Sequence, residues 1–339
     1  MNGVGKVVLV TGVARQLGGA LVRRLQREPG VERVIGVDTA APAQPLGAAE
    51  FVRTDIRQPA IGAVLSGHAV DTVVHTDLHS TPLSPRGSRA AVKETNVIGT
   101  MQLLGGCQKV PSVRRLVVQS STAVYGSASR DPAVCEESTQ AKALPRGGFA
   151  KDMVEVEGYV RGFARRRPDV SVTVLRFAHV LGPGADSPMA AYFSLPVLPT
   201  ALGYDPRLQF VHADDALEAL CVASGEPSRG SLNAGTFNIA GDGVLLLSQC
   251  ARRLGRPTVP LLLPALRWGG AAMRALGIPD FPPEQVRLLV HGRVVRTTQM
   301  REVLGFEPRR STEQALADAA PGLGPALLPP ERLARAVDG

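Results

Sequence analysis

Apolar residues in the first half of this chain fall into short, nearly unbroken runs, and between the runs they recur at helical spacing. Residues 7–10, 34–37, 73–75, 116–119 and 172–177 are rich in valine, isoleucine and leucine and read as strands. Unbroken runs rather than strict alternation fit strands covered on both faces, as in a parallel sheet. Leu17, Leu21 and Leu25 form one helical stripe, and Met153, Val156, Val160 and Phe163 form another. Strand and helix in alternation predict an α/β fold with a doubly wound, Rossmann-type parallel sheet. After residue 180, proline and glycine become dense and the helical patterns shorten. We therefore divide the chain into a larger lobe, 1–180, and a mainly separate smaller lobe, 181–339, with 208–220 and 236–240 returning to the first. Residues 257–283 read as part of a lobe that closes over a ligand, and 39–50 as a surface loop.

Composition refines this picture. The 339 residues suffice for one α/β domain with an attached lobe. With 44% hydrophobic and 20% charged residues, a disordered chain is excluded. Polar Met1-Asn2-Gly3 leads directly into the first apolar run, so no signal peptide is read there. Residues 259–276 are interrupted by Pro260, Pro264, Arg267, Gly269 and Arg274 and cannot span a bilayer. The expectation is a soluble, cytoplasmic protein. Cys107, Cys135, Cys221 and Cys250 lie far apart, without metal-type spacing, which points to reduced thiols and no metal site. The net charge of +8 comes from scattered arginines, and the one dense run, Arg165-Arg166-Arg167, sits at a helix end before Pro168. With only 4% aromatic residues to stack on bases, this charge disfavours a nucleic-acid partner and fits attraction to small anions such as nucleotide sugars.

The strongest local signal follows the first strand. Thr11-Gly12 leads through Val13 and Ala14 to Arg15, Gln16, Leu17 and Gly18, a glycine turn that opens a helix. Such a turn lets the backbone approach a pyrophosphate at a helix N-terminus, and Asp38, at the end of the second strand, is placed to bind ribose hydroxyls.

With these residues, the chain resembles the extended short-chain dehydrogenase/reductases of the NAD-dependent epimerase/dehydratase group, in particular an actinobacterial branch labelled UDP-glucose 4-epimerase-like. The resemblance runs through Thr54-Asp55-Ile56, Val73-Val74-His75, Asn96-Val97-Ile98-Gly99-Thr100, Ser120-Ser121 to Tyr125-Gly126, Lys151, Leu175-Arg176-Phe177, Phe237-Asn238-Ile239 and Leu304-Gly305-Phe306. It implies that Asp38 and Asp55, beside Ile56, hold the adenosine end of NAD, and that Asn96 and Lys151 lie near its nicotinamide end. It also implies a catalytic role for Ser121, a nucleotide-sugar ligand, and a homodimer formed through residues 89–109 and 149–167.

Four departures from the family pattern lie along the same cleft. Arg15 and Gln16 stand where the glycine motif has smaller residues; Arg15 suits a 2′-phosphate, but Asp38 would repel one, so NAD is favoured over NADP. Asp77 replaces a small residue after the fourth strand, and we expect it to pair with Arg15 across the pyrophosphate site. Lys151 has Gly147 four positions before it where the family keeps the tyrosine of Tyr-x-x-x-Lys. A relocated acid or base would then come from Tyr125, His79 or His179, the last at a position where the family often has asparagine. Two functions remain open: a protein that binds a dinucleotide, a nucleotide sugar or a protein partner with weak or no turnover, and an active NAD-dependent nucleotide-sugar epimerase, dehydratase or reductase.

Overall fold

The computed structural model describes residues 6–80, 88–141, 147–225, 234–268 and 283–327. Within them, seven parallel strands form one sheet: β1 (Lys6–Thr11), β2 (Val31–Asp38), β3 (Glu50–Arg53), β4 (Thr72–His75), β5 (Arg115–Ser121), β6 (Ser171–Phe177) and β7 (Gly235–Ile239). Their order is β7-β6-β5-β4-β1-β2-β3, so the winding reverses between β1 and β4. Val8, Leu9 and Val10 of β1 are all buried, as are all four residues of β4, because helices cover both faces. Helix α1 (Gln16–Leu25) buries Leu21, Val22 and Leu25; α2 (Thr100–Lys109) buries Leu103, Leu104 and Cys107. Helix α3 (Gly148–Arg166) buries Met153, Val156, Val160 and Phe163, the predicted stripe.

The returning segments take definite places. β7 pairs with β6 at the sheet edge, and α4 (Ala213–Ser224) packs beside α1. Val295, Met300, Leu304 and Phe306 also join the core under the sheet, although sequence pattern placed them with the smaller lobe. A second apolar cluster holds Tyr192, Phe193, Phe210, Leu247 and Leu316, with α5 (Pro283–His291) against it through Val286 and Leu289. Of the predicted segment 257–283, residues 269–282 lie outside the described residues. Among the described residues no helix is long and apolar enough to cross a membrane. The four cysteines are free and buried, and burial pushes the Cys107 thiol up to about 12. Arg167, just after α3, donates to the Cys107 carbonyl in the last turn of α2 and to that of Val113, so the last arginine of the basic run is answered within the protein.

One fully buried histidine fastens the switch point. The Thr100 hydroxyl donates to the Asn96 carbonyl at 2.5 Å, so it accepts from His75 Nε2–H at 2.9 Å. His75 Nδ1 then accepts from the Thr11 hydroxyl at 2.8 Å, while Thr11 Oγ1 accepts the N–H groups of Thr76 and Asp77. β1, β4 and α2 are thereby joined through one neutral ring. Burial pushes this imidazole down to about 4, so between roughly pH 6.5 and that value only the unfolded chain takes up the proton. The stability contributed by neutral His75 is complete above this window and lost as pH falls through it. Urea unfolding midpoints should therefore decline from pH 7 to pH 5, and decline less steeply in His75→Gln.

Candidate functional site

Where the winding reverses, the C-terminal ends of neighbouring strands part and leave a crevice. Gly12 opens the turn after β1 with φ of 76°, and a Cβ there would stand 2.8 Å from the Asp77 Cα. A Cβ on Gly18 would lie 2.3 Å from the Gly12 carbonyl oxygen. Only glycines bring the first turn of α1 this close to the strand ends. Above it lies a cavity of about 470 Å³. Arg15, Gln16, Leu17, Gly18, Ser121 and His179 all line it, so residues from three distant segments meet there.

Other expected residues stand behind or beyond this wall. Asp38, buried at the end of β2, accepts the N–H of Ala14 at 2.9 Å and of Ala40 at 3.1 Å. Asp55 is gripped by the Arg57 guanidinium at 2.7–3.0 Å, which lowers its carboxyl below the usual range, and Ile56 is buried against Gly99. Asn96 lies in a turn of π-helix, Glu94–Gly99; its side chain clamps both backbone groups of His79 and donates to Asp152 at 3.0 Å. The glycine turn, the first turn of α1, whose N-cap side chain makes no capping bond, and buried Asp38 together fit a dinucleotide, and side chains at Gly12 or Gly18 would push that turn off the strand ends.

Two expectations are corrected. Arg15 does not close on Asp77: its Nη1 reaches Asp186 at 2.6 Å, while Asp77 Oδ1 takes His79 Nε2 at 2.5 Å. Gln16 adds a second bridge to the same loop, donating to the Pro183 carbonyl at 3.1 Å. Lys151, in turn, is absent from the crevice wall. Its side chain is 45% exposed, and its Nζ lies 3.8 Å from Glu155 on the outer side of α3. The α3 residues that do line the crevice are Phe149, Ala150 and Met153. Phe149 and Met153 are themselves four apart, so an apolar pair occupies the facing i, i+4 positions, and Gly147 and Lys151 do not.

The reason lies below the crevice. Arg176 of β6 donates to both carboxylate oxygens of Glu157, at 2.9 and 2.6 Å, and to the Tyr125 hydroxyl at 2.8 Å. Ser120 donates to the same carboxylate at 2.7 Å, and Tyr125 donates to Asn238 on β7 at 2.6 Å. With Glu157 turned inward, Met153 one turn earlier faces inward too, and Lys151, two residues before Met153, falls nearly half a turn from it. Tyr125 is thus a structural member of the network, its hydroxyl pushed up to about 12 by burial. Burial and the neighbouring Arg293 push the His179 imidazole down to about 3, so it is neutral and Nε2 has no partner.

Glu284, not anticipated from sequence, arrives from α5 and accepts the N–H groups of Phe149 and Ala150, both at 3.0 Å. It caps α3 from the other cluster. Gly148, with φ of 72°, makes room for it, since a Cβ there would meet the carboxylate at 2.3 Å. The signal for Glu284 was absent locally because it lies 135 residues from its partner Phe149.

Comparison with known proteins accords with this arrangement. The profile of the NAD dependent epimerase/dehydratase family matches residues 8–240. The chain belongs to that family. An uncharacterized protein of Mycobacterium tuberculosis is 46% identical over 330 residues, covering 94% of this chain and 84% of the relative. Among solved structures, UDP-glucose 4-epimerase of Thermotoga maritima with UDP-glucose aligns with a TM-score of 0.67 at 22% identity, over 93% of this chain and 97% of that one. UDP-glucuronic acid 4-epimerase of Bacillus cereus, with UDP-glucuronic acid and NAD, aligns with a TM-score of 0.69 at 17% identity, over 94% and 98%. At these identities the likeness concerns the fold.

In this member of the family the buried network sets the orientation of the helix that faces the crevice. Removing one charge leaves the other buried and unpaired. Arg176→Met should lower the free energy of urea unfolding by about 3–5 kcal/mol, and Glu157→Leu in the same background should recover part of it.

Proposed function

We propose that the protein holds NAD in this crevice together with a second small molecule, and turns it over weakly or not at all. The observation that carries this is the apolar pair Phe149 and Met153 on the wall beside Ser121. When bound, NAD would supply a hydride acceptor. Residues 12–18 would receive its pyrophosphate and Asp38 its adenosine ribose, with Asp55 and Ile56 further along that edge. Asp38 also favours NAD over NADP, since Arg15 is engaged by Asp186 and cannot offset a 2′-phosphate.

Oxidising an alcohol requires a base for the hydroxyl proton, with a pKa near the working pH. Ser121 accepts the Ala123 N–H at 3.1 Å and can donate a hydrogen bond to a substrate oxygen, while His79, which shares this wall, is bonded through Nε2 to Asp77 at 2.5 Å. His179 is held neutral well below that range, and the Tyr125 hydroxyl is spent on Asn238. Phe149 and Met153 carry no proton to exchange. In this reading the core under the sheet serves the dinucleotide and the second cluster serves the other ligand. A nucleotide sugar, the ligand class in the Thermotoga and Bacillus structures, is the first to test.

Calorimetry should show stoichiometric NAD binding, and incubation with NAD and UDP-glucose should give little reduced cofactor and no shift in epimer ratio. Phe149→Tyr/Met153→Lys should raise that turnover by about 10²–10⁴-fold, while Gly147→Tyr leaves it unchanged. Brisk turnover by the natural chain, or a gain confined to Gly147→Tyr, would refute the assignment.

A homodimer through residues 89–109 and 149–167 belongs to the same proposal. Ile98, Met101 and Tyr159 stand exposed on these helices. Light scattering should give twice the chain mass, and Met101→Glu should shift it toward the monomer.

A further inference from the structure

The second ligand of the proposed function can be narrowed from the polar groups that the crevice leaves uncommitted. Most polar side chains on its wall are already spent within the protein. Ser120 is held by Glu157, Ser187 caps the following helix through the Ala190 N–H, Gln285 donates to the Pro188 carbonyl and Gln16 to that of Pro183. The charges are spent likewise: Arg15 closes on Asp186, Glu284 caps α3, and Asp214 is 84% exposed to solvent.

Against these stand Arg293, which makes no ion pair among the described residues, and His179, whose Nε2 makes no hydrogen bond there. Arg293 is fastened by the Gly126 carbonyl at 2.9 Å and Ser127 Oγ at 3.1 Å, and among the described residues it makes no ion pair. Burial holds its guanidinium down to about 10. Beside it lies the buried, unpartnered Nε2 of His179. Both residues line the same cavity, and that wall also carries an apolar set, with Phe149, Met153, Phe177, Val180, Met189 and Leu288.

We propose that the crevice takes an apolar molecule with a single carboxylate head, the head seated on Arg293 and His179 and the body against the Phe149–Met153 wall. One negative charge is what Arg293 can answer, whereas a diphosphate brings a second. Phe149, Met153, Val180 and Leu288 offer a sugar hydroxyl no partner, and a hydroxyl buried against them would go unmet at a cost. This inference rests on the second-ligand part of the proposed function and is independent of NAD itself.

The test is calorimetric titration, with and without NAD, using octanoate, 1-octanol and UDP-glucose as probes. Octanoate should bind at least about tenfold tighter than 1-octanol, as a charged hydrogen bond allows. Arg293→Met should erase that advantage and keep 1-octanol binding. In the natural chain, octanoate but not acetate should shift the ¹⁵N imidazole resonances of His179, a readout that needs no variant. Tighter binding of UDP-glucose, equal binding of octanoate by Arg293→Met, or an unmoved His179 would each overturn the proposal. Failure to bind NAD would strike only the preceding reading, because titration of the cofactor-free protein still decides the carboxylate site.

Discussion

A guanidinium buried under a sheet must have its charge and its donors answered, and Arg176 is the point on which the site of this protein turns. Its fork meets Glu157 from α3, its remaining donors meet Tyr125 and the Glu137 carbonyl, and it lies 4.9 Å from the Tyr125 ring centroid. Through Tyr125 and Asn238 the bond chain continues to β7, and through Ser120 it returns to β5 beside Ser121. One buried ion pair thus links three strands to one helix. Together with the buried stripe Met153, Val156, Val160 and Phe163, it sets which face of α3 meets the crevice.

The chemistry of the crevice follows from that orientation. α3 presents phenylalanine, alanine and methionine to the cavity, and its lysine looks outward. Of the two imidazoles that line the cavity, His79 is bonded to Asp77, and His179 is desolvated and therefore neutral, which makes it a hydrogen-bonding group and a poor acid. Glu284 deepens the coupling, since the helix that carries the apolar pair is capped by a carboxylate belonging to the second cluster. Any shift of α5 is felt at the first turn of α3, beside the ligand.

Much of this was legible from the chain. The strand runs, the Met153–Phe163 stripe, the glycine turn and Asp38 are local patterns whose spacing reports burial directly, and each takes its expected place. The apolar pair was half visible, because Met153 already belongs to the buried stripe, whereas Lys151 was expected in the cleft from its match to the family's lysine. A lysine can be placed on a helix by spacing, but a helix has several faces near its end, and spacing alone does not say which one meets the cavity. Tyr125 illustrates the converse. Its sequence context offered a reactive hydroxyl, and burial against Arg176 and Asn238 made it structural.

What the sequence determined by itself is which residues leave water, and hence a doubly wound sheet with a glycine turn at its switch point. That follows because burial repeats with the period of the local element. Only the tertiary structure decided which charges meet. Arg15 finds Asp186 across 171 residues rather than Asp77 across 62, and Phe149 finds Glu284 across 135. Ion pairs and caps depend on where distant elements arrive in space, and no local periodicity carries that distance.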